Sequence, residues 1–277
     1  MLRTIALTAT LALAATGASA ATVNIFAAAT ANTNLTPQDN TTDNASGSTI
    51  TTPVYSVSAS AASGSTSGSS SFTANGDAGT LRSFSTMSGN NGDGTGDGNT
   101  NAGGTLTETF TLTGSGTFTA SILIDGMWDL TRTLPGGGPG IPAWQVQSRV
   151  MIGTGGSYDS LCLGTSCSPS LNTANSGSIE GYALSVSSAY TLGASSTTIA
   201  VEFYLITQLL AGNGTIDFGN TAQLWVETTG TLQATAADPD FLSASSLAAP
   251  VPLPASAWLL LSGLLGIGLL RRKGAAG

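Results

Sequence analysis

Residues 255–270 form a run of sixteen without a charge, eight of them Leu or Ile, and Arg271, Arg272 and Lys273 follow at once. A run this apolar has to leave water, and its place near the end of the chain limits how. As a helix it spans about 24 Å at ~1.5 Å per residue, slightly short of the ~30 Å hydrocarbon core of a bilayer. Adding residues 251–254 lets it reach across. Pro252 and Pro254 do little harm there, because a proline at a helix start gives up no intrahelical hydrogen bond. The three cations then stay on the cytoplasmic side as a basic stop signal. The competing reading is a core helix buried in a globule. A terminal apolar run closed by three cations suits the membrane better.

The order of features in this tail resembles the sorting signal of the PEP-CTERM family. Val251, Pro252, Leu253, Pro254 and Ala255 match the motif of its VPLPA variant, and the apolar span and basic end follow in the right sequence. Gly263, Gly266 and Gly268 within the span also resemble that family. The resemblance covers roughly a tenth of the chain. It implies a substrate of an exosortase, a membrane-embedded cysteine transpeptidase-like enzyme of Gram-negative bacteria that also make exopolysaccharide. The tail would hold the protein in the inner membrane, facing the periplasm, until it is processed.

The N-terminus fits export. Arg3 supplies a positive charge, residues 5–15 are a short apolar segment, and Ala18 and Ala20 flank Ser19 in a small-residue signal peptidase site. Cleavage after Ala20 is expected, with an uncleaved anchor as the alternative. The domain reading is therefore a signal peptide at 1–20, an exported β domain at 21–244, a tether at 245–250 and the sorting signal at 251–277.

The exported part keeps three cations, Arg82, Arg132 and Arg149, and all 15 acids, a formal charge of −12. Such a surface repels nucleic acid and anionic lipid, so no nucleic-acid partner is expected. Cys162 and Cys167 are the only cysteines. An even pair this close in an oxidising compartment reads as a local disulfide. A redox-active pair and free thiols are the alternatives. With no histidine in the chain, a zinc site lacks ligands.

Period-two alternation is the one regular signal in the body. Residues 22–26 look like an opening strand, and 51–58 a further one. Residues 29–49, Thr/Asn-rich and without period, read as a low-complexity surface loop. Residues 58–71, almost pure Ser, Ala, Gly and Thr, are too poor in apolar area to offset ordering and read as a low-complexity loop, with a weak edge strand as the alternative. At residues 105–113, Leu106, Phe110 and Leu112 alternate with threonines, and Glu108 falls on the apolar side. Phe118, Ala120, Ile122 and Ile124 line a second run after Gly114 and Gly116, which together predict a hairpin. Trp144, Val146, Val150 and Ile152 mark another strand, and 179–186 a weaker one. Residues 198–210 read as a central strand covered on both faces, with 216–227 beside it. No helical period appears outside the two ends. The prediction is an all-β body of β-sandwich or jelly-roll kind. Residues 217–224 and 241–244 also resemble the ending of many exported β-sandwich proteins with this tail.

No catalytic residue, metal or cofactor is predicted. Without histidine, Ser-His-Asp and Cys-His systems are impossible. Asp125, Asp129, Glu180, Glu202 and Glu227 are acids that could serve acid–base chemistry, yet nothing in their spacing pairs them. Asn90–Asn101 alternates oxygen side chains with glycine, as calcium loops do, but Gly104 stands where a bidentate Glu belongs. A flexible glycine-rich turn is the reading preferred over a calcium site. Trp128, Trp144 and Trp225 with Tyr158, Tyr182 and Tyr204 are candidates for a sugar-stacking platform. Trp144 sits on the apolar parity, whereas Trp128 and Trp225 look freer. The expected function is an exported surface or matrix protein, sorted by an exosortase, structural or adhesive and associated with exopolysaccharide. The alternative is a carbohydrate-binding module on the same scaffold.

Overall fold

The computed structural model describes residues 21–33, 36–48, 54–63, 66–89, 98–132, 139–153, 156–168 and 172–243. The chain divides into two units, Met1–Ser245 and Ser246–Gly277, and every described strand belongs to the first. The expected signal peptide with Ala18 and Ala20, the expected tether, and the expected sorting signal with Val251–Ala255 and Arg271–Lys273 lie outside the described residues, as does the calcium-like loop through residue 97. No helix among the described residues is long and apolar enough to cross a membrane.

The body is all-β. Its strands are β1 (Thr22–Thr33), β2 (Thr36–Ser48), β3 (Val54–Ser63), β4 (Thr66–Asn75), β5 (Thr80–Ser88), β6 (Asn99–Thr131), β7 (Ala143–Ile152), β8 (Tyr158–Leu163), β9 (Ser176–Ala211), β10 (Asn213–Thr228) and β11 (Gln233–Ala236). They form one large sheet in which the pairings are antiparallel.

Two strands of more than thirty residues organise it. β6 and β9 pair along nearly their whole length, with a register shift where Gly114 meets Gly193. Both glycines have positive φ, +89° and +59°, a region L side chains rarely adopt. Before this bend, β6 continues into β1 and β2 on one side, and β9 into β7 and β8 on the other. Beyond it, β6 continues into β10, β5, β4 and β3. The sheet thus folds into two leaves that face each other. Ser83 of β5 reaches the Ala102 carbonyl of β6 (2.9 Å), and the rings of Trp128 and Trp144, from opposite leaves, lie 5.1 Å apart. One continuous apolar core fills the gap, an arrangement consistent with a β-sandwich.

Several expectations need correction. The 29–49 segment is not a loop: it supplies the end of β1 and all of β2, which pair as a hairpin. The 58–71 segment is likewise strand, in β3 and β4. Its alternation is hard to see because the inward residues are small, Ala59, Ala61, Ser63, Gly68 and Ser70 among them. They pack because the facing leaf is also small there, with Ala27, Ala29 and Ala31 buried in β1. Gly114 and Gly116 do not reverse the chain. They bend β6, whose partner β9 stays paired with it past them. The 216–227 strand does not lie beside the 198–210 strand; β10 pairs with β5 and β6, because the turn at Gly212 passes the chain to the other leaf. The 198–210 stretch does lie centrally, between β6 and β7.

Candidate functional site

Among the described residues, two places gather chemistry-bearing side chains. The first is buried. Glu108 sits on the inward parity of β6 and is wholly buried. One carboxylate oxygen accepts the N–H groups of Ala237 (2.7 Å) and Asp238 (3.1 Å), in the turn after β11. Burial pushes its pKa up to about 7, against the lowering effect of those hydrogen bonds. The other oxygen is buried without a partner. Beyond the turn, Phe241 inserts against Phe110 (5.9 Å) and Phe203 (6.4 Å). Glu108 therefore latches the last described segment to the core. Burial, then Asp240 and Asp238, raise the pKa of nearby Asp77. Among the described residues no group of three or more acidic, cysteine or histidine side chains could hold a metal ion.

The second place is an open cleft of ≈ 530 Å³ on the outward face of β7, β8 and β9. Register places Arg149 between Tyr204 of β9 and Ser160 of β8. The guanidinium stacks over the Tyr204 ring, 5.6 Å from its centroid, and pairs with Glu202. Burial raises the Tyr204 pKa, so its phenol stays protonated near neutral pH. Tyr158 closes one side and is 64% exposed. The turn that Cys162 and Cys167 close as a disulfide, Cα atoms 5.8 Å apart, lines it as well.

The aromatic candidates scatter. Trp128 is not free: it is 3% exposed, packs on Trp144, and donates its indole N–H to the Ala174 carbonyl (2.9 Å). Its parity carries the signal, since it continues the inward series Ile122, Ile124 and Leu130. Trp144 is fully buried, as its parity indicated. Trp225 is half-buried on the outward face of β10, level with Ser121 and Ser185. Of the candidates outside the core, Tyr158 and Tyr204 line one cleft. The candidate acids are also dispersed. Glu202 is engaged by Arg149, Asp125 accepts the Gly181 N–H (2.6 Å), and Asp129, Glu180 and Glu227 are exposed.

No protein-family model, curated protein or solved structure matches this chain.

Proposed function

We propose that this is an exported cell-surface or matrix protein, held by its C-terminal span in the inner membrane and released to the outer layers when an exosortase processes it near Val251–Ala255. The role is structural or adhesive, in company with exopolysaccharide. The observation that carries this reading is the order of motif, apolar run and three cations at one end, with a secretory start at the other. The body suits the role. It is strand throughout, and we read its folded sheet as a β-sandwich of jelly-roll-like kind. Hydroxyl pairs such as Ser56 with Thr73 (3.0 Å), Ser67 with Ser88 (2.8 Å) and Thr119 with Ser187 (2.8 Å) run across exposed positions. They keep a surface poor in charge hydrated. The disulfide suits an oxidising compartment.

Mass spectrometry of the protein from cells with and without the processing enzyme tests the reading. A C-terminus within or just before residues 251–255, seen only when the enzyme is present, is expected. An intact Gly277 in both strains overturns it. The alternative, a carbohydrate-binding module, loses the Trp128 platform to burial, so any saccharide contact has to be made at the tyrosine-lined cleft or at Trp225.

A further inference from the structure

We propose that the cleft beside the Cys162–Cys167 disulfide binds a neutral pyranose unit of a polysaccharide chain. The inference goes beyond the sorting reading and does not need it.

Four features of the cleft point this way. Its volume, ≈ 530 Å³, lies within the range of small-ligand sites. Two rings line it, and Tyr158 is the more open of them, at 64% exposure. The C–H faces of a pyranose are apolar and stack on such rings, while its hydroxyls need flat, fixed donors and acceptors. Arg149, Gln147 and Ser160 supply these on adjacent strands. Arg149 spends one amino group on Glu202, and its side chain remains 42% exposed. Finally, the frame is stiff. β7 is paired on both sides and the turn lining the cleft is closed covalently, so little ordering is required on binding.

Charge decides the class of sugar. Glu202 already neutralises Arg149. Neighbouring Asp159 is occupied by the N–H groups of Ser160 (2.9 Å) and Ser185 (3.1 Å). The exported part as a whole is acidic. A uronate or sulfated sugar finds no uncompensated cation here, whereas a neutral one needs none. A second groove, between β3, β4 and β5, is lined by serine, threonine, alanine and glycine and offers no ring.

Affinity electrophoresis tests the proposal. The full chain, in a mild detergent, is run through native gels containing dextran, galactomannan or hydroxyethylcellulose, and through gels containing alginate or hyaluronan. Retardation by at least one neutral polymer and by neither acidic one is expected. Tyr158→Ala should weaken it about tenfold, the effect of deleting one stacking ring. Arg149→Lys, which keeps the charge but not the planar fork, should weaken it about threefold. Tyr182→Ala, another exposed ring outside the cleft, should leave it unchanged. Each variant is first shown to unfold at the wild-type denaturant midpoint. No retardation by any polymer, retardation by the acidic polymers alone, or equal retardation of the Tyr158→Ala protein overturns the proposal. A chain that is processed at its tail yet not retarded removes this inference and leaves the sorting reading intact.

Discussion

The two ends of the core are filled in opposite ways. Toward β7 and β10 the leaves are held apart by large side chains: Trp128, Trp144, Phe118, Phe203 and Phe218 are all buried. Toward the stretch where Ala27, Ala29 and Ala31 of β1 meet Ala59 and Ala61 of β3 and Gly68 and Ser70 of β4, the filling is alanine, glycine and serine. There a serine hydroxyl reaches across to backbone, as Ser70 does to the Ala28 carbonyl (2.9 Å). So short a side chain can only make that bond if the leaves approach more closely than the ~10 Å usual for facing sheets. The wide end is stabilised mainly by apolar area. The narrow end depends on close fit and on hydroxyls that find partners. A composition that looks too poor to fold can therefore make strands, provided its facing surface is equally thin.

Substitutions should break the two ends by opposite routes. The largest effect is expected from Trp144→Ala, which empties the wide end and should cost about 4 kcal/mol by chemical denaturation. Next comes the carboxylate buried among the aromatic side chains. The folded pKa of Glu108, about 7, lies above its ordinary value of 4.5. Its contribution to stability is therefore full below about pH 4.5 and is lost as pH rises through 7, by up to about 3 kcal/mol. Glu108→Gln keeps an acceptor for Ala237 and Asp238 and should flatten that part of the pH profile, leaving the variant more stable than wild type at pH 8. A profile as steep as wild type would refute the assignment.

At the narrow end, adding matter is what hurts. A Cβ at Gly104 would stand 2.6 Å from the Asn24 carbonyl oxygen and 2.5 Å from Ile25 Cγ2. Gly104→Ala should cost about 2 kcal/mol, although it adds a single carbon. The smallest effect belongs to the hydroxyls between the leaves. Thr207 Oγ1 bonds Ser83 (2.8 Å) and Ser85 (3.0 Å) in full burial. Thr207→Val preserves shape and removes both bonds, at about 1 kcal/mol. If instead Gly104→Ala is neutral while Thr207→Val is severe, the narrow end is governed by its hydrogen bonds and not by its fit.

Where inward residues are large, the sequence is readable. Trp144, Val146, Val150 and Ile152 announce β7, because alternation between large apolar and polar side chains is the mark of a strand with one face buried. In β3 and β4 the same alternation is written in alanine and serine, which differ too little in size and polarity to stand out. Glu108 visibly breaks its pattern, but the two N–H groups that accommodate it lie some 130 residues downstream in the chain. The cleft is half visible. Tyr158 and Tyr204 stand among six candidate rings, and only the register of β7 between β8 and β9 sets both beside Arg149.

The residues alone determined that the body would be built from strands, that the sequence carries no histidine, and that residues 21–250 would be acidic and almost free of cations. These properties rest on side-chain period and inventory, which are local. The bend of β6 and β9, the burial of Trp128, the thin end of the core and the cleft were decided by tertiary structure. Each depends on which distant strand comes to lie opposite, and a glycine or a serine can be read only against the surface it touches.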